Sequence, residues 1–172
     1  RHRNTPIWYE AFAKCFGFGG GCGLAGFSAA PPKKGPVLTV SSTIKYDTLM
    51  NYWLVKSEPD EYGFQHLIDE EVGRWDGVRN YQARNNLRSM AVDDQVFFYH
   101  SRQGLEIVGL AKVVREAYPD PTAEKGDWSA VDLAPVRWLK QKVSLKAIKA
   151  EPELSEIGLV RNPRLSVMPI SD

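Results

Sequence analysis

The chain has 172 residues, 43% of them apolar and 25% charged, which allows one domain with a small appendage. No apolar run approaches the roughly 20 residues that a membrane helix needs, and two cysteines in the whole sequence exclude a disulfide framework. The net charge of +1 hides an asymmetry: residues 1–49 carry six Lys/Arg against Glu10 and Asp47, and the rest carries 16 against 19, so it is mildly acidic. That excludes tight, indiscriminate duplex binding, which needs many phosphates neutralised, but leaves room for a basic rim around one pocket.

Residues 1–49 keep no helical or strand period. Phe16 to Gly26 is Gly-rich, and the run Pro31 to Pro36 reads as extended or disordered. Gly21-x-Gly23-x-x-Gly26 meets the dinucleotide fingerprint formally, but no strand precedes it and Pro31 and Pro32 interrupt the helix it would open. Cys15 and Cys22 are too widely spaced for a zinc-ligating pair, and His2 is the only imidazole nearby. The expectation is a low-complexity, disordered or non-native extension over 1–49, a biological start at Met50, and a folded domain over 50–170.

From Asn51 the pattern sharpens. Tyr52 to Ser57 reads as a strand closed by Pro59. Phe64, Leu67, Ile68 and Val72 fit a short amphipathic helix, and Tyr81 to Met90 a second, with Leu87 and Met90 inward and Arg84 and Arg88 sharing a face. Asp93-Asp94 turns the chain into the apolar strand Gln95 to Ser101. Arg102-Gln103-Gly104 turns it again into Ile107 to Val114, a hairpin partner. Trp128 to Leu139 supplies another strand, with Val131, Leu133 and Val136 as core candidates and Pro135 limiting its pairing. Ser144 caps a helix over Leu145 to Ile148, and Leu165 to Met168 closes the chain as a strand. The fold class is α+β: a small curled or barrel sheet of about five to six mainly antiparallel strands with short flanking helices.

The densest chemistry lies between Trp75 and Arg88, where an indole, arginines and carboxamides crowd together just before an apolar strand. Aromatic faces stack bases, amides pair with base edges and guanidinium forks grip phosphates. Trp75 precedes Asp76-Gly77, a turn. Asn80, Tyr81, Arg84 and Asn85 open the second helix, whose unpaired N–H groups suit phosphate or a polar base edge. Asn80 is equally an N-cap. Arg79 and Arg84 are phosphate candidates, as is Lys56, while Ser57 can bond a base edge. Tyr99 and Ser101 share one strand face and His100 takes the other, where a lone histidine is more often a satisfied core residue than a base. Glu58 reads as a cap or an arginine partner. No nucleophile elbow, metal-ligand spacing or phosphate loop is present, so recognition groups outnumber reaction groups and neither cofactor nor metal is expected.

These residues carry a resemblance. Tyr52-Trp53-Leu54-x-Lys56-Ser57-Glu58-Pro59, Trp75 to Asn85, Phe98-Tyr99-His100-Ser101, Val108 to Ala111, Ala117-Tyr118-Pro119-Asp120-x-Thr122 and Arg164 to Val167 stand in an order that resembles an EVE domain and the thymocyte nuclear protein 1 family. The resemblance covers about Met50 to Pro169. It implies a PUA-like barrel and a non-catalytic module that binds nucleic acid, reading a modified base such as methylated or hydroxymethylated cytosine, in DNA rather than RNA. By likeness to YTH domains it implies Trp75 as one wall of an aromatic cage. It offers Trp128 as a second wall, Arg164 at the pocket mouth, and Trp53 within the same binding set. It further implies a monomer without membrane attachment, cytoplasmic in a bacterium or nuclear in a eukaryote. RNA is the alternative polymer. The alternative activity is that of ASCH-like amidohydrolases, which deacylate modified nucleosides with a lysine, a hydroxyl residue and a glutamate. Lys56, Ser57 and Glu58 supply those types, but adjacent residues of one strand point to opposite faces.

Overall fold

The computed structural model describes residues 51–170, and the readings made for the N-terminal 49 residues and for Met50 lie outside it. The chain runs β1 (Tyr52–Ser57), α1 (Pro59–Tyr62), α2 (Phe64–Glu70), β2 (Gly73–Trp75), α3 (Tyr81–Arg88), β3 (Gln95–His100), β4 (Glu106–Pro119), β5 (Ser129–Ser144), α4 (Leu145–Ala150), a 3₁₀ turn (Pro152–Leu154), α5 (Gly158–Arg161) and β6 (Val167–Pro169). The six strands form one sheet in the order β2-β5-β4-β3-β1-β6.

The α+β class and the mainly antiparallel sheet hold. One pairing departs from the tight-turn logic: β1 runs parallel to β3, with Leu54 beside Phe97 and Val55 beside Phe98. Two helices, β2 and α3 intervene between them, which is the long crossover that a parallel pair requires. β4 and β5 form a long antiparallel ribbon whose register shifts four times. Each shift adds local twist, and the sheet curls as a result. Pro135 sits beside one of these irregularities, opposite Ala111, where a missing N–H costs no regular ladder bond.

Some expected boundaries move. The segment at Gly73–Trp75, read only as the approach to a turn, pairs with Leu133, Asp132 and Val131 as β2. Val72 is exposed because α2 ends at Glu70 and Glu71 turns with φ 60. Val136 is also exposed, since it shares the outward parity of Asp132 and Ala134. Ser144 caps α4 as expected, accepting from Ala147 N at 3.2 Å.

The core joins Leu54, Val55, Phe64, Leu67, Phe98 and Leu133, all fully buried. α2 lies against β4 so closely that a Cβ on Gly109 would stand 2.3 Å from the Phe64 ring. Asp94 is the buried polar anchor of this face. Its carboxylate accepts from Trp53 Nε1 at 2.8 Å, Ala91 N at 3.0 Å and Asn51 N at 3.1 Å. Trp53, 6% exposed, is thus a core residue whose indole N–H is already used. Asp94→Ala orphans three donors around the start of β1, and chemical denaturation is expected to show a loss of about 3 kcal/mol, with Asp94→Asn losing less.

Candidate nucleic-acid interface

A cleft of about 500 Å³ opens where the end of β1, α1 and the β2–α3 loop meet. Trp75 lines it with the edge of an indole that otherwise belongs to the core, 8% exposed. The indole is held edge-on by Phe98, with centroids 5.5 Å apart, and by Tyr62 at 6.2 Å. Tyr62 borders the cleft too and donates its hydroxyl to Glu70 Oε2. Burial first, then this carboxylate, pushes its pKa up. Close approach explains Gly73, where a Cβ would lie 2.1 Å from Tyr62 Oη. Ser57 and Ser101 join the rim, with Ser101 Oγ donating to Ser57 O at 3.1 Å. Lys56 also lines the cleft. Its ammonium donates to Pro163 O, and burial lowers its pKa.

The far wall is the segment from Asp76 to Arg79, turned by Gly77 at φ 71. Its position is set by Asp120, whose side chain is fully buried. Asp120 Oδ2 accepts from Arg79 Nη1 at 2.6 Å and Gly77 N at 3.1 Å, while Oδ1 accepts from the Thr122 hydroxyl at 2.6 Å and its N–H at 2.8 Å. Burial alone would raise the carboxyl, but these donors outweigh it and hold the pKa at about 2. Asp76 behaves oppositely. Burial and the neighbouring Asp120 charge raise its pKa, and Arg74 and Arg79 only partly offset them.

Beside the cleft, α3 builds a second aromatic face. Tyr81 is 67% exposed and stacks on Trp128 with centroids 5.0 Å apart. The Arg84 guanidinium lies 5.1 Å from the Tyr81 ring centre, and that of Arg79 lies 5.7 Å from Trp128. Arg84 is braced by Asn85 Oδ1 and Asp127 O. Asn80 Oδ1 accepts from Ala83 N at 3.0 Å, so its side chain caps α3.

The residues singled out in the sequence therefore separate in the structure. Lys56, Ser57, Trp75, Arg79 and Ser101 share the cleft. Tyr81, Arg84, Asn85 and Trp128 form the adjoining face, with Trp128 outside the cleft rather than opposite Trp75. Trp53 and Tyr99 stand in the core, 6% and 2% exposed. Arg164 is exposed and lines neither feature. His100 is a satisfied core-edge residue, its Nε2 accepting from Phe64 N at 3.2 Å. Glu58 pairs with Arg102 at 2.9 Å. Sequence reasoning passed over Tyr62, Asp76 and the role of Asp120. The Asp120-x-Thr122 spacing, a self-bonding turn, was the available signal for the last.

The sequence model for the EVE domain matches residues 51–172. The chain belongs to the EVE domain family. Among relatives, it is 38% identical over 157 residues to thymocyte nuclear protein 1 of Mus musculus, covering 72% of this chain and 70% of that one. The human protein of that name is 35% identical over the same shares. A crystal structure from Agrobacterium tumefaciens superposes on this EVE domain with TM-score 0.68 and 46% identity, covering 71% of this chain and 86% of the other. The structure of human THYN1 protein in complex with 5-methylcytosine containing DNA does so with TM-score 0.65 and 33% identity, covering 71% and 91%.

Asp120 supplies a test of how the wall is held. Its folded-state pKa lies below that of an unfolded aspartate, so its contribution is present above about pH 4 and is lost as pH falls toward 2. Asp120→Asn is expected to cost about 2 kcal/mol at pH 7. In urea titrations the gap from the unsubstituted protein should close between pH 4 and pH 2.

Proposed function

We propose that this EVE domain binds nucleic acid and reads a modified base, 5-methylcytosine or its hydroxymethyl derivative in DNA, within the Trp75 cleft. The observation that carries the reading is the Trp75 wall beside hydrogen-bonding groups, on a fold shared with a relative solved with 5-methylcytosine containing DNA. A planar ring gains dispersion against the part of the indole that the cleft leaves open, and an added methyl group extends that contact. Ser57, Ser101 and Asp76 offer polar edges around it. Arg79 stands at the junction of cleft and stacking face, where it meets the backbone of an extruded nucleotide. Tyr81, stacked on Trp128 and flanked by Arg84, suits a neighbouring base.

Extruding a base from a duplex costs a few kcal/mol. The sequence carries 19 acidic against 16 basic residues beyond the first 49, so few counterions are released to offset that cost. Duplex affinity is therefore weak, in the micromolar range or above.

One observation favours a second reading. Lys56, Ser57 and Glu58 all border the cleft, and burial lowers the lysine pKa, as a nucleoside amidohydrolase would use. Against it, Lys56 Nζ is directed to Pro163 O and the Glu58 carboxylate to Arg102. Incubation with N4-acylated cytidine, followed chromatographically, is expected to return the substrate intact.

The main reading predicts that the protein binds oligonucleotides carrying 5-methylcytosine more tightly than matched cytosine oligonucleotides in fluorescence anisotropy, and that Trp75→Ala abolishes the difference. Binding is expected to fall with added salt on a shallow slope. A nanomolar Kd for unmodified duplex at physiological salt, or a methyl preference that survives Trp75→Ala, would sink it. Tyr81→Ala is expected to weaken methylated and unmethylated oligonucleotides alike.

A further inference from the structure

We propose that Asp76 reads the exocyclic amino group of a cytosine-class base held against Trp75, and thereby separates 5-methylcytosine from thymine; this rests on the modified-base reading above. Asp76 directly follows Trp75 and lines the same cleft, with its side chain 30% exposed. Arg74 Nη1 forms an ion pair with it at 3.8 Å and its own backbone N–H bonds it, but among the described residues no side chain donates a hydrogen bond to it. An ionised carboxylate only accepts. A base entering the cleft strips water from this group and must return an N–H to it, or leave a carboxylate oxygen without a hydrogen bond.

Thymine and 5-methylcytosine have the same outline and the same methyl group. An aromatic wall and a cavity shape cannot tell them apart. They differ at the edge, where cytosine presents its N4 amino donor and thymine its O4 acceptor. Asp76 is matched to the first and opposed to the second. Lys56 from β1 and Arg79 from the loop are donors that either base satisfies through its other oxygen or its phosphate, so they add affinity without choosing.

Protonation alters the match. Asp76 is faced by Asp120 across the loop, by Arg74 on β2 and Arg79 beyond it, with Glu61 and Tyr62 of α1, Glu58 before it and Lys56 of β1 on the same cleft. Burial and Asp120 together make its carboxyl take up a proton more readily than an ordinary aspartate. The neutral acid donates as well as accepts, and accommodates O4 as readily as an amino group. Discrimination against thymine therefore narrows as pH falls.

The test titrates the full chain onto oligonucleotides with 5-methylcytosine, cytosine or thymine opposite an abasic site, which keeps the extrusion cost similar. At pH 7 the protein is expected to prefer 5-methylcytosine over thymine by roughly 5- to 150-fold, the range of one well-placed edge contact. The ratio is expected to shrink as the pH is lowered from 7. Asp76→Asn is expected to bring the two bases near parity, because a carboxamide can turn either its donor or its acceptor toward the base. Asp76→Ser provides a second variant with the same expected loss, and circular dichroism checks that both fold. An unchanged ratio in folded variants, with binding still dependent on Trp75, overturns the role of Asp76 and leaves the modified-base reading standing. Equal binding of all three oligonucleotides by the unsubstituted protein, indifferent to Trp75→Ala, overturns both.

Discussion

A buried carboxylate ties the interface together. Asp120 lies just past the far end of β4, yet it fixes Gly77 and Arg79 in the segment that follows β2. The four donors around it satisfy a charge that burial would otherwise make costly. Their geometry also decides where Trp75 and Asp76 can stand. Arg79 then reaches from this network to the Trp128 ring, so the cleft and the stacking face share one support. Removing the carboxylate would release two loops at once, since the Thr122 turn depends on it as much as the Gly77 turn.

In the proposed reading, that arrangement is how an acidic domain serves nucleic acid. The arginines of the interface are not a loose basic patch. Arg79 is held by Asp120, and Arg88 and Arg84 by Asp127. Each guanidinium is oriented by a carboxylate, at the cost of most of its long-range field. Such a surface attracts phosphates weakly from a distance but presents its donors and aromatic faces in fixed directions. In the proposed reading, selectivity comes from the cleft, and the electrostatic contribution stays small enough that unmodified polymer is not retained.

Much of this was legible in the sequence because local and global signals agreed. Apolar runs rich in aromatic and β-branched residues announced β1, β3 and the first half of β4, and Asn80 and Ser144 announced helix starts that the structure keeps. What escaped had a common cause. β2 is three residues long and survives only by pairing with β5, so no periodicity within it could reveal a strand. The outer half of β4, through Arg115 and Glu116, is polar because it leaves the core, and it reads as loop. The parallel pairing of β1 with β3 depends on contacts across some forty residues, which no local pattern encodes. Val136 looked like core because β-branched residues fit strands on either face.

The displacement of Trp128 is the more instructive difference. A cage reading places two indoles face to face across a base, but here the second indole stacks on Tyr81 and the partner of Trp75 in the cleft is Tyr62. Tyr62 and Trp75 line the cleft, Tyr81 and Trp128 lie outside it, and Arg79 borders both. In the proposed reading, a strand passing over Arg79 meets the cleft and an open platform in succession. An enclosed site excludes water and strengthens edge contacts, whereas an open platform tolerates any base. In the proposed reading, sequence specificity is then confined to a single nucleotide, and the neighbour contributes affinity without imposing identity. This division follows from the turn at Gly77. A side chain at φ 71 would be strained there, and a rearranged turn would move Asp76 out of the cleft and Arg79 off the Trp128 ring together.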